Sequence, residues 1–310
     1  SSLQAPQDLL GYLDTDTSML NPRNTGHGFY VYGTWPITLT YFVARSLEAT
    51  DYFAVHLVGR NLNMLYDWLG LVLIFLIGRR LVDERVGALA ALLAAGTAFS
   101  IQQAHFFTVD VPANVFFLVF LYFLVRSLEG RFEEAEGRPR PVTTTEGRRL
   151  LFTAMAGLGM GMALASKIAL WPAAPLAVLV LAYLSWRAVG DPIDFRRVVR
   201  PILVLGLSSF LALRFCQPDM FAGPGWPNVV ENQGRYAEVT AKAPEWWFTL
   251  ERRLPRPLQA ALLPDPRWAG NLSEISRQVQ GYGMDWPPNH QWFGRRDWVF
   301  PAKNLVLWGM

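Results

Sequence analysis

The chain has 310 residues, 52% of them hydrophobic and 14% aromatic, with a formal net charge of +3. Several nearly charge-free windows approach the roughly 20 residues that cross a bilayer core, which excludes an ordinary pair of soluble domains. The arginines are scattered through loops and form no continuous stripe, which argues against nucleic acid as a partner, and the single cysteine, Cys216, excludes an intrachain disulfide or a cysteine-based metal cluster.

Residues 1–56 read as a first segment outside the membrane. Within it, GHGFYVYGTWP precedes an apolar piece at 37–44 that is too short to span and is expected to lie at the interface, where tyrosine and tryptophan suit the headgroup level. The triplet LDTDTS carries Asp14 and Asp16 at a spacing that can chelate a divalent cation from a turn; the same residues can equally cap turns, and no metal is assigned. His27, between two glycines, reads as a loop residue.

Residues 57–216 are expected to form a bundle of about six membrane helices, over 57–78, 86–107, 109–127, 150–166, 168–186 and 201–216. In the first, Arg60, Asn63 and Asp67 share a helical face, so Arg60 or Asn63 is expected to pair with Asp67 as an internal structural contact. The turn IQQAHFFTVDVP places Gln102, Gln103, His105 and Asp110 between two apolar runs, where ionisable groups are costly unless they meet water, a partner or a substrate. Asp110 opens a helix, a position the dipole favours with or without chemistry. Lys167 interrupts the otherwise uncharged GMALASKIALWP and either snorkels or serves a site. The run GLGMGMALAS supplies the small residues that let membrane helices approach closely.

Residues 217–300 contain no spanning run and read as a large loop of short interfacial helices. One of these is expected over 265–279, where Trp268, Leu272, Ile275 and Val279 recur at helical spacing, either at the interface or packing the loop onto the bundle. Residues 301–310 look like the start of a further membrane helix.

Arginines mark alternate turns: Arg79, Arg80 and Arg85; then Arg126 to Arg149; then Arg187 to Arg200. The tendency of basic loops to remain cytoplasmic puts residues 1–56, the Gln102 to Asp110 turn, Lys167, Arg214 and the 217–300 loop on the outer face together. That face collects carboxylates (Asp14, Asp16, Asp110), imidazoles (His27, His105, His290), cations (Arg23, Lys167, Arg214, Arg295, Arg296) and tryptophans. A carboxylate can take a proton from an acceptor hydroxyl while a cation holds a phosphate leaving group. This is the minimal equipment for moving a sugar off a lipid phosphate, and any wet vestibule can contain it too.

The runs SMLNPRNTGHGFYVYGTWP, HLVGRNL, QQAHFFTVDVPA, ALASK, RFCQPDMF and PPNHQWFGRRDWVFPAKNLVLWG, in this order, resemble the large prokaryotic membrane proteins named for a Tyr-Tyr-Tyr-x-Gly element. That family is similar to GT-C glycosyltransferases that use polyprenyl-phosphate sugar donors. The resemblance implies an all-α integral membrane fold, a polytopic GT-C-like bundle with a large exoplasmic loop. It also implies inverting transfer on the extracytoplasmic face of a prokaryotic plasma membrane, with membrane lipid and a polyprenyl-phosphate-linked sugar as partners. Asp110 matches the second acidic position of the class, and Lys167 a basic position near the donor phosphate. Tyr30 and Tyr32, in a variant of the naming element, Gln217, in RFCQPDMF, and His290 and Arg295, in the last run, join His105 and Arg214 as expected substrate contacts. The family's His-Pro-Asp-Glu element is missing, so the chain is expected to be a fragment that begins downstream of the first helix and of the family's base; Asp14 and Asp16 are independent candidates for that role. Two other classes remain open: a lipid-binding or transport protein, for which polar residues would spread along several helix interiors, and a non-catalytic subunit whose vestibule a membrane-complex partner fills.

Overall fold

The computed structural model describes residues 6, 8–30, 32–49, 51–129, 145–187, 195–279, 299 and 303. Their helices, in chain order, are α1 (Leu9–Leu13), α2 (Trp35–Ser46), α3 (Tyr52–Leu81), α4 (Glu84–Ala95), α5 (Ala98–Ala104), α6 (Asp110–Leu128), α7 (Glu146–Ser166), α8 (Ala173–Arg187), α9 (Phe195–Cys216), α10 (Trp226–Glu231), α11 (Gln233–Thr240), α12 (Glu245–Arg253), α13 (Arg256–Leu262) and α14 (Pro266–Val279). No strand occurs among the described residues, and the β-pairing present is an isolated bridge between Phe221 and Pro264. The fold is the expected all-α membrane architecture. The chain divides into two compact units, Tyr32–Cys216 and a second made of Ser1–Val31 with Gln217–Met310.

The Tyr32–Cys216 unit is a helical bundle. By length and composition α3, α6, α7 and the Val198–Cys216 part of α9 can cross a membrane. Asp51 starts α3 by accepting from the Phe53 and Ala54 amides, Asp83 starts α4 through the Val86 amide, and Thr145 starts α7 through the Arg148 amide. Arg79 and Arg80 close α3, and Arg126 closes α6, where cations suit the helix C-terminus. The core comprises Phe120, Leu124 and Leu128 of α6, Ala156, Met160 and Leu164 of α7, Ala177 and Leu181 of α8, and Leu205 of α9. Leu203, Leu207, Leu211 and Phe215 follow one another at four-residue spacing down α9, each more than half exposed, as a lipid-facing row.

Helix α7 runs between α6 and α9, and the glycines of its small-residue run explain how. A Cβ on Gly159 would stand 2.7 Å from the Phe120 nitrogen of α6, while one on Gly161 would stand 2.3 Å from the Ser209 carbonyl oxygen of α9. Side chains are absent where backbones meet, as expected for helices that associate in lipid by close packing.

Two stretches expected as full spans are divided. The 86–107 stretch breaks into α4 and α5 at Gly96 and Thr97; Gly96 caps α4, and the Thr97 hydroxyl donates back to the Leu93 carbonyl. The 168–186 stretch begins with a 3-10 turn, Ile168–Leu170, and resumes as α8 only after Pro172, which has no amide to donate. At α2, by contrast, Pro36 sits in the first turn, where its missing donor costs nothing.

The other unit packs short helices around Trp247, which is fully buried and donates its indole N–H to the Pro264 carbonyl at 2.7 Å. Thr15 joins the first segment to the later one by donating to Phe221 O at 2.6 Å and Pro218 O at 3.0 Å. Asp265 caps α14 through the Arg267 and Trp268 amides. Trp268 and Ala269 of this helix are buried, and Asn271 donates to Gly28 O and Tyr30 O, so part of the face expected to lie on a membrane surface packs inside its own unit.

Candidate functional site

Asp110 and Lys167 stand 57 positions apart in the chain and form an ion pair, Lys167 Nζ donating to Asp110 Oδ1. Asp110 lies in the first turn of α6, where the helix dipole also favours its charge. Lys167 is the C-cap of α7, its backbone turning from helical to extended as its amide donates to Ala163 O. Gly33 holds that turn in place. Its amide donates to Ser166 O at 3.1 Å, and a Cβ there would meet Ala165 O at 1.9 Å, so only glycine lets the chain lie this close. Both charged side chains remain about 40% exposed, which leaves the pair reachable by a ligand.

Asp110 also lines a cavity of about 240 Å³ with Asp67 and Gly70 of α3, Ser100 and Gln103 of α5, and Asn114 of α6, walled by Leu71, Ile74, Val115 and Leu118. The loop before α6 is pinned over α3 by Asn63, whose amide donates to Phe106 O at 2.6 Å and Thr108 O at 3.1 Å. The expected pairing of Arg60 or Asn63 with Asp67 is therefore not made: Asn63 is committed to the loop, and Arg60 points to solvent. Asp67, read as a structural residue from the sequence, faces the same hollow as Asp110. Its position at the head of the uninterrupted apolar run WLGLVLIFLIG was the signal available. Gln103 belongs to the polar turn singled out in the sequence, whereas Asn114 carried no such signal.

Other expected site residues lie elsewhere. The His105 Nδ1 donates to Ile101 O at 2.7 Å, closing α5, and His105 does not line this cavity. Arg214 occupies the last turn of α9 and also stays outside the cavity lining, while Tyr32 is exposed at the start of the bundle unit. Asp14, Asp16, Tyr30 and Gln217 belong to the other unit. The Asp14 carboxylate accepts from the Asp16 amide and the Thr17 hydroxyl, shaping its own turn. Asp16 accepts from Arg235 Nη2 at 2.6 Å and Nε at 3.2 Å, an engagement that, with Glu238, raises the Arg235 pKa above its ordinary value. The two carboxylates are thus drawn to different partners, and among the described residues no three His, Cys, Asp or Glu side chains gather as a metal site would need. Gln217 is buried, and among the described residues its side-chain oxygen has no hydrogen-bond partner. Tyr30 lends its carbonyl to Asn271. His290 and Arg295 fall outside the described residues.

That second unit has a cleft of its own, about 530 Å³, lined by Asp16, Arg23, Arg235, Lys242 and Arg267 among others. Its guanidinium groups already meet carboxylates: Arg23 with Asp219 at 3.3 Å, Arg235 with Asp16, and Arg267 with Asp265 at 3.1 Å. The Asp110–Lys167 site differs in joining an exposed ion pair to a hollow lined by further polar groups.

Neither a curated protein nor a solved structure matches the chain significantly. The family model described as dolichyl-phosphate-mannose-protein mannosyltransferase matches residues 36–213, more than half of the chain and almost the whole bundle unit, with Asp67, Asp110 and Lys167 inside it. The chain therefore belongs to the dolichyl-phosphate-mannose-protein mannosyltransferase family, and is a multi-pass membrane glycosyltransferase of the GT-C type.

Proposed function

We propose that the protein moves a sugar from a polyprenyl-phosphate donor to an acceptor hydroxyl on the extracytoplasmic face of a prokaryotic plasma membrane, with inversion at the anomeric carbon. The observation that carries this reading is the half-exposed Lys167–Asp110 pair beside the cavity. A donor phosphate competes with Asp110 for the Lys167 ammonium, and its arrival releases the carboxylate. The acceptor oxygen then bonds to the anomeric carbon as the bond from that carbon to the phosphate oxygen breaks. The electron pair departs with polyprenyl phosphate, stabilised by Lys167, and the acceptor proton passes to Asp110. The likeness to the Tyr-Tyr-Tyr-x-Gly proteins supports both the donor class and the membrane face.

The test is transfer of radiolabelled mannose from polyprenyl-phosphate mannose into endogenous acceptors, in membranes carrying the full chain. Asp110→Asn and Lys167→Met are each expected to lower the rate by about 10²-fold or more, the usual scale for a lost acid–base or charge-stabilising group. Helix content and expression should stay unchanged. Undiminished transfer in both variants overturns the assignment, and wild-type protein that binds the donor without transferring its sugar favours the lipid-binding reading.

A further inference from the structure

The cavity beside Asp110 has a chemistry that the ion pair does not explain. Three helices, α3, α5 and α6, each send polar groups to it, and Asp67 is the most demanding of them. Asp67 is half-buried in a helix long and apolar enough to cross a membrane, and among the described residues it has no hydrogen-bond or ion-pair partner. A carboxylate so placed is costly unless something supplies donors to it. Gln103 accepts from the Thr108 hydroxyl at 3.3 Å through its oxygen, which leaves its amide nitrogen to donate into the hollow. Asn114, one turn after Asp110, has no partner among the described residues.

The lining selects against some occupants. Two carboxylates repel a phosphate, and five polar side chains among the apolar lining suit a purely hydrocarbon chain poorly. A polyhydroxylated ring satisfies the set: its hydroxyls donate to Asp67 and Asp110 and exchange bonds with Ser100, Gln103 and Asn114. Its C–H face lies on Leu71 and Val115. The volume, about 240 Å³, falls below the roughly 300–1,000 Å³ of pockets for drug-sized ligands and suits a single ring. We infer that this hollow seats the sugar ring of the donor, with Asp67 and Gln103 gripping its hydroxyls while the phosphate stays on the Lys167 side of Asp110. The inference rests on the sugar-transfer reading and adds to it a place, and a set of selecting residues, for the sugar.

Binding tests it independently of turnover. The full chain in lipid nanodiscs is titrated with polyprenyl phosphate bearing mannose, glucose, galactose or arabinose, and with sugar-free polyprenyl phosphate. At least one sugar-bearing lipid is expected to bind about tenfold more tightly than the sugar-free one, the scale of a hydrogen bond to a charged group. Asp67→Asn and Asp67→Leu should reduce that preference to about twofold or less, while affinity for sugar-free polyprenyl phosphate stays the same. Lys167→Met should weaken all five lipids alike. A wild-type chain that prefers none of the four sugars overturns the inference, as does a preference that survives in both Asp67 variants. If the preference depends on Asp67 while Asp110→Asn and Lys167→Met transfer sugar normally, the subsite stands and the proposed catalytic pair falls; the converse result removes the subsite and leaves the pair.

Discussion

The two units are held together by opposite means. In the bundle, contact is made where side chains are missing: Gly157, Gly159 and Gly161 bring α7 against backbone and small-residue atoms of α6 and α9. In the unit formed by Ser1–Val31 and Gln217–Met310, contact is made by long charged side chains. Arg23 bridges Asn21 to Asp219, Arg267 bridges Asp265 to Asn24 and Thr15 O, and Arg235 bridges Asp16 to Glu238. Lipid removes the hydrophobic gain from helix association, so close backbone packing carries it. Helices of five to fourteen residues are marginal alone, and charge-assisted bonds fix them to their neighbours.

The largest test of this contrast is Arg23→Met, because it removes the guanidinium that pairs with the Asp219 carboxylate, only 4% exposed. A loss of about 3–5 kcal/mol is expected, the usual cost of breaking a buried pair from one side, read from equilibrium unfolding followed by tryptophan fluorescence. Stability within 1 kcal/mol of wild type would mean that apolar packing around Trp247 holds the unit instead.

Next comes Gly161→Val, which drives a branched side chain into Ser209 O and Leu213 N of α9. Overpacking of this kind costs about 1–3 kcal/mol, and more where backbone must give. Thermal unfolding of the bundle should shift accordingly, while Gly206→Val, where a Cβ meets nothing within 4 Å, should not move it. Equal effects at the two glycines would break the close-packing account.

The smallest effect concerns alkaline pH in the charged unit. Burial, aided by the hydrogen bond to Glu251, pushes the Tyr236 hydroxyl from its ordinary value of 10 up to about 12. The folded protein therefore keeps this proton longer than the unfolded chain, so the contribution is full below pH 10 and is lost as pH rises from 10 towards 12. Tyr236→Phe should flatten that part of the stability profile; an unchanged slope would assign it to other groups.

How much of this was legible depends on the distance over which each feature is decided. The helicity of α3, α6 and α7 and the oddity of Asp110 and Lys167 are local, since each follows from an apolar run and a charge within it. The pairing of those two charges is not local, and nothing near either residue names its partner. The pairing expected for Asp67 fails for a related reason: Arg60 and Asn63 stand on its face, yet Asn63 is claimed by the carbonyls of Phe106 and Thr108, more than forty positions away. Asp16 looked like half of a chelating triplet, and Arg235, 219 positions on, takes it instead. Hydropathy over 86–107 and 168–186 averaged across Gly96, Thr97 and Pro172, the residues at which those stretches break.

The amide of Gly33 reaches the carbonyl that immediately precedes Lys167. The lysine's anchorage therefore depends on a residue with no side chain and no charge, lying 134 positions upstream. Substitutions there would shift the Lys167 ammonium away from Asp110 by relocating its tether, and a survey confined to ionisable groups would overlook the cause.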